Sequence, residues 1–215
     1  MRLVRRLRVS TAIRTVRDEP HEYVMPHAAG PTDQELVARA RAGDALAFEQ
    51  IIHRYEGQVA ATVIGMMGRC PEADDVGQET FIRLHTYLRK YRGDAALGTY
   101  IVRIAINQAL KALKQRKRWR ERFVRPDQEA LELLEPVTEE GDAIDARERK
   151  RLVHAALGQI NPEQRAVVVL RMLEGYSTRE TAAMLNIPEG TVMSRLSRAL
   201  ERLKGLLGPL LLENS

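Results

Sequence analysis

Apolar positions recur along this chain at intervals of three and four residues, and no alternating segment bounded by turns appears, so helices are predicted throughout. The first starts at Thr32 or Asp33, either of which can cap it, turns Leu36 and Val37 inward, and ends at Ala42 before Gly43. Asp44 caps a second, with Phe48, Ile51, Ile52, Tyr55 and Val59 on one face and Gly65 and Gly68 weakening its end. Pro71 opens a third, EADDVGQETFIRLHTYLRKY, which offers Val76, Phe81, Leu84, Leu88 and Tyr91 to a core. Its acidic start and basic end follow the order that the helix dipole favours. After the loop RGDAALG, a fourth helix starts near Thr99 and is apolar almost all round, from Ile101, Val102, Ile104, Ala105 and Ile106 to Ala109 and Leu113. Such a helix belongs in the middle of a bundle. It runs out into KALKQRKRWRERFVR, a cationic stretch with Trp119 and Phe123 interleaved.

The pattern then reverses. PDQEALELLEPVTEEGDAID is acidic, interrupted by Pro126, Pro136 and Gly141, and periodic only in a short turn around Leu131–Leu134, so it reads as a flexible linker. A coil of this length spans roughly 30 Å, close to one turn of DNA at about 34 Å. Periodicity resumes near Ala146 with Val153, Ala156, Leu157 and Ile160 on one face. Asn161 is expected to cap the next helix, with Pro162 at its first position and Gln164 as capping-box partner. That start signal makes AVVVLRML helical despite its three valines.

The most informative stretch is YSTRETAAMLNIPEGTVMSRLSRALERL, residues 176–203. Ser177 and Glu180 form a capping box, and the short helix they open turns Ala182 and Leu185 inward. Asn186 stops it and Pro188 starts another. The second helix has an apolar stripe at Val192, Leu196, Ala199, Leu200 and Leu203. Its opposite face shows Glu189, Thr191, Met193, Ser194, Arg195, Ser197, Arg198 and Arg202. Two short helices, a tight turn and a basic polar face read as a helix-turn-helix, a DNA-reading element. From this pattern alone, a plain helical hairpin with solvated charges stays open.

The fold class expected is therefore all-α, with two small helical domains joined by a flexible acidic linker. The expected boundaries are a basic, disordered extension over 1–31, a first domain over 32–118, a linker over 119–145 and a second domain over 146–210. The extension is arginine-rich and lacks the apolar core of a secretory signal, and Met25 is an alternative start.

Composition narrows the partners. Lys and Arg number 34 against 29 Asp and Glu, a net charge of +5 that suits a polyanionic partner. Cys70 is the single cysteine, so an internal disulfide or thiolate metal cluster is excluded. His21, His27, His53, His85 and His154 lack the close pairing of a zinc site, and His53 and His85 read as surface or boundary residues. Aromatics make up 5%, too few for base-stacking platforms on a sheet. No apolar run approaches the ~20 residues of a membrane span, and a reducing cytoplasm fits best.

These segments, in this order, resemble the extracytoplasmic-function (ECF) group of bacterial RNA polymerase sigma factors, in the sigma-70 superfamily, over about 32–118 and 146–207. NPEQRAVVVLRMLEGYSTRETAAMLNIPEGTVMSRLSRALERLKGLL looks like the family's region 4, including Gly190-Thr191-Val192 and Ser194-Arg195-Leu196. EADDVGQETFIRLHTYL and IVRIAINQALKALKQRKR look like parts of region 2.

The resemblance implies an alternative sigma factor, a transcription initiation subunit with no catalytic residues, metal or cofactor. It would bind core RNA polymerase, at the largest subunit's clamp helices and the flap, and direct it to promoter DNA. Polymerase contacts would fall on Asp74, Asp75, Gln78, Glu79 and Phe81. The −10 element would meet Arg92, Tyr100, Arg103, Asn107, Lys111 and Lys114. The −35 element would meet Ser177, Thr178, Glu189, Gly190, Thr191, Met193, Ser194, Arg195 and Arg198. An anti-sigma factor, soluble or membrane-linked, is also implied. Departures from the family are Tyr100 for a common tryptophan, Lys111 for a usual aspartate, and Glu189 and Met193 for a small apolar residue and a lysine. A stand-alone helix-turn-helix regulator and a helical adaptor without DNA binding are the competing readings.

Overall fold

The structure, a computed structural model, describes residues 30–123 and 143–212. Among these residues every regular element is helical: α1 (Asp33–Arg41), α2 (Ala45–Met67), α3 (Pro71–Tyr87), α4 (Leu97–Phe123), α5 (Ala143–Gly158), α6 (Pro162–Val168), α7 (Thr178–Leu185) and α8 (Glu189–Leu212). The expected extension and most of the acidic linker, with the turn at Leu131–Leu134, lie outside the described residues. The chain divides into two compact units, one formed by residues up to Ile64 with Cys70–Gln108, the other by Gly65–Arg69 with residues from Ala109 onward.

In the first unit local chemistry sets each helix start. Thr32 caps α1, accepting from the Glu35 amide at 3.3 Å while Glu35 reaches back to the Thr32 amide at 2.7 Å. Asp44 accepts from the Ala47 amide at 3.1 Å, and Pro71 takes the first position of α3. Gly43 and Gly68 adopt φ of 97° and 75°, the left-handed conformation that ends α1 and α2 where a β-carbon would be strained. The core collects Leu36, Phe48, Ile51, Ile52, Val59, Phe81, Leu84, Leu97, Ile101 and Ile106. Tyr55 and Tyr91, expected in that core, are only half-buried, because their hydroxyls take polar partners at its edge: Asp33 at 2.5 Å and the Ala95 carbonyl at 2.6 Å. Burial and the Asp33 hydrogen bond push the Tyr55 hydroxyl well above its ordinary pKa. Helix α4 starts at Leu97, two residues before Thr99, and a β-carbon on Gly98 would stand 2.9 Å from Tyr55 Cε1, so glycine permits the approach of α4 to α2.

In the second unit, α6 and α7 pack on α8. One cluster joins Leu157, Ile160, Val168 and Ala199, with Leu196 and Leu203 against it, and a second joins Val167, Ala182 and Val192 with Leu185 and Ile187. AVVVLRML is helical, and α6 closes in a π-helical turn over Val169–Leu173. Two details differ from expectation. Asn161 caps α6 by accepting from the Glu163 amide at 2.9 Å instead of forming a box with Gln164. Leu200 and Val153, expected inward, are exposed, since both stripes turn from the core at their edges.

Candidate nucleic-acid interface

The turn between α7 and α8 orients the most suggestive surface. Ser177 and Glu180 form a full capping box, with the Ser177 hydroxyl 2.6 Å from Glu180 Oε2 and accepting from the Glu180 amide at 3.2 Å. These bonds hold the Glu180 carboxyl below its usual pKa. Asn186 ends α7 at φ 53° and ψ 51°, a left-handed position that asparagine tolerates well. The chain reverses there, the Ile187 amide bonds the Ala182 carbonyl at 3.0 Å, and the Pro188 carbonyl accepts from Thr191 and Val192 at 2.9 and 3.1 Å to begin α8. A buried Val192 and Ala199 seat one side of α8, which leaves the opposite side outward.

The nine residues expected at the −35 element are not equivalent on this frame. Glu189, Gly190, Met193 and Arg198 are exposed. Glu189 occupies the first turn, where the helix dipole favours a carboxylate. The Ser177 hydroxyl is engaged in the cap, and the Ser194 hydroxyl donates to the Thr191 carbonyl at 3.1 Å. Thr191 is half-buried. Arg195 is also half-buried and its guanidinium pairs with Glu163 of α6. The Thr178 hydroxyl donates to Met193 Sδ at 3.7 Å, joining the two helices.

Of the residues expected at the −10 element, Arg92, Arg103, Asn107, Lys111 and Lys114 are exposed. Tyr100, Arg103, Asn107, Lys111 and Lys114 recur at three- and four-residue spacing, so they form one polar stripe along α4. Tyr100 is half-buried, its ring centroid 5.0 Å from that of Tyr91 and 5.3 Å from the Arg103 guanidinium carbon. Arg92 pairs with Asp94 at 3.1 Å. Behind this loop lies a cavity of about 430 Å³, lined by Asp33, Val37, Arg41, Tyr91, Arg92, Gly93 and Leu97 among others, a size in the ligand-pocket range of roughly 300–1,000 Å³.

On α3, Asp75 is exposed and Asp74, Gln78 and Glu79 are half-buried, with Glu79 paired to Arg83 at 3.0 Å. Phe81, read from the sequence both as a core position and as a polymerase contact, is fully buried in the free chain.

Sequence reading missed several supporting residues. Arg41 Nε donates to the Leu88 carbonyl at 3.0 Å, and Nη2 donates to the Tyr91 carbonyl, fixing the approach to the loop. Glu163 engages Arg195. Buried Arg165 donates to the Gly158 and Ile160 carbonyls at 2.7 and 3.1 Å, closing the turn before α6. Arg41 and Glu163 lie 47 and 32 residues from their partners, and no local pattern announces such pairs.

A short capped helix, a left-handed turn and a second helix with an outward polar face form a helix-turn-helix, the architecture of a DNA-contacting protein. Comparison with known proteins makes this specific. Residues 51–119 match the family described as Sigma-70 region 2, and residues 150–203 match Sigma-70, region 4. The RNA polymerase sigma-H factor of Pseudomonas aeruginosa is 34% identical over 192 residues, covering 84% of this chain and 96% of that protein. The ECF RNA polymerase sigma-E factor of Escherichia coli K12 is 33% identical over 190 residues, covering 84% and 96%. Among solved structures, CnrH in complex with the cytosolic domain of CnrY is 26% identical, with a TM-score of 0.58 over 82% of this chain and 97% of that one. The sigma factor RpoE of Bartonella quintana, in complex with the anti-sigma factor NepR, shares the fold at 21% identity and a TM-score of 0.59, over 75% and 96%. The chain belongs to the extracytoplasmic-function group of the sigma-70 family and is an alternative sigma factor, a transcription initiation factor.

Proposed function

We propose that this chain engages core polymerase and the two promoter elements through three separate surfaces. The acidic outer face of α3, Asp74, Asp75, Gln78 and Glu79, meets a basic surface on the clamp helices of the largest subunit, where charge complementarity speeds association. The loop Arg92–Ala96 and the stripe Tyr100, Arg103, Asn107, Lys111 and Lys114 take the −10 element, with an unstacked base entering the cavity behind the loop while cations track the backbone. Helix α8 enters the major groove at the −35 element, where Glu189 can accept from a cytosine amino group. In this reading residues 32–118 are region 2, 146–210 are region 4, and 119–145 tether them, so two weak contacts act together. The chain itself carries out no catalysis and works in the cytoplasm. An anti-sigma factor masks it, as CnrH is bound by the cytosolic domain of CnrY. Among the described residues no helix is long and apolar enough to cross a membrane.

The observation that carries this reading is the outward face of α8, set by the left-handed turn at Asn186, in a chain that matches both sigma regions in order. The test is co-purification with core polymerase followed by run-off transcription from a promoter carrying both elements. Polymerase-dependent initiation is expected. Binding to the promoter duplex without association with polymerase would instead mark a stand-alone regulator.

A further inference from the structure

We propose that Met193 reads the C5-methyl group of one thymine in the −35 element, an inference that rests on α8 being the duplex-reading helix. Met193 stands in the second turn of α8 and is 53% exposed, a large apolar side chain on a face otherwise polar. Three of its neighbours have their polar groups turned elsewhere: Ser194 donates to the Thr191 carbonyl, Arg195 pairs with Glu163, and the Ser177 hydroxyl is committed to the α7 cap. Glu189 and Met193, four residues apart and on the same side of the helix, both face outward, with Ser194, Ser197 and Arg198 also exposed on α8.

The Met193 thioether is also steered. The Thr178 hydroxyl donates to its sulfur at 3.7 Å, and Thr178 is the first residue of α7, immediately after the capping serine. An unbranched methionine chain samples many rotamers when free, and a contact at the sulfur narrows that range while the residue as a whole stays half exposed. In the major groove the one apolar group on base edges is the thymine methyl, and the other edge groups are hydrogen-bond donors and acceptors that a thioether methyl cannot satisfy. A soft apolar tip therefore fits thymine best and gains by dispersion and by excluding water. Four residues of helix advance about 6 Å, against about 3.4 Å per base pair, so this thymine lies within roughly two base pairs of the position Glu189 faces.

The experiment uses the full chain reconstituted with core polymerase. A −35 element is first selected from randomised duplexes by transcription, and each thymine in it is then replaced singly by deoxyuridine, which removes only the methyl group. At one position the wild-type holoenzyme is expected to bind the thymine duplex roughly fourfold more tightly than the uracil duplex, the size expected for one buried methyl. With Met193→Ala that ratio falls to about one, and with Met193→Leu a preference for thymine persists. Because each ratio compares two DNAs on one protein, a general loss of affinity or folding cancels. A selected element with no methyl-sensitive thymine overturns the proposal, as does a ratio that Met193→Ala leaves intact. If no transcript depends on the −35 element at all, the assignment of α8 fails too, which separates the two failures.

Discussion

Replacing Arg41 with alanine tests whether the loop at the proposed −10 site is held by α1. Arg41 closes α1 and sends two hydrogen bonds to the backbone, one to the carbonyl of Leu88, the first residue of the short 3-10 turn Leu88–Lys90, and one to the carbonyl of Tyr91, which follows the turn. The Leu88 carbonyl also accepts from the Tyr91 amide at 3.2 Å, so it keeps one partner in the variant, whereas the Tyr91 carbonyl loses the guanidinium. Hydrogen bonds from a charged donor contribute about 1.5–3 kcal/mol each when buried. Arg41 is half-buried and water replaces part of what is lost, so about 2 kcal/mol for the pair is the expected loss. Urea unfolding should show that loss in the midpoint with little change in slope. Amide exchange across Tyr91–Leu97 should accelerate by up to roughly thirtyfold, since the opening free energy of this segment falls by the same amount. Arg41→Lys, with a single point of donation in place of the planar fork, should fall between the two. In function, 2-aminopurine fluorescence at the −10 element should report slower promoter opening. A change under 0.5 kcal/mol together with unaltered exchange in the loop would refute the role given to Arg41.

Other substitutions separate core from contact. Phe81→Ala should cost about 3–5 kcal/mol in urea unfolding, as for other buried aromatics, while Asp75→Lys should stay within about 0.5 kcal/mol and weaken association with core polymerase in a pull-down titration. Arg198→Ala should weaken promoter binding across sequences and reduce the salt slope by about 1, whereas a double-mutant cycle on Glu163 and Arg195 should return a coupling of about 0.2–1 kcal/mol in stability. The capping boxes predict an acid-side effect: Glu35 and Glu180 have pKa values lowered by hydrogen bonds from Thr32 and Ser177, so their stabilisation is present above the ordinary glutamate pKa and fades as pH falls through the lowered value. Helicity followed by circular dichroism on acidification should fall less steeply for Glu180→Gln than for wild type, because that variant has nothing left to protonate at the α7 cap.

Much of this fold was legible because helices are specified by neighbours three and four residues apart. Thr32 with Glu35, Ser177 with Glu180, Pro71 and Pro162 at first positions, and the stop at Asn186 each act within one turn, so residue order alone sets them. The helix-turn-helix and the apolar stripe of α8 follow from the same short-range rules. The site was legible as a set of faces, not as a set of free groups. Which side chains on a face stay outward depends on elements that arrive from elsewhere. Glu163 engages Arg195 from 32 residues away, Arg41 reaches carbonyls 47 and 50 residues on, and Thr178 meets Met193 only because the turn folds α7 against α8. Phe81 falls on the legible side of this division: its place on the apolar stripe of α3 offered it to a core, and its ring is fully buried there. Periodicity records the interactions a residue makes with its own helix, whereas exposure and pairing are set by what the rest of the chain brings to that surface.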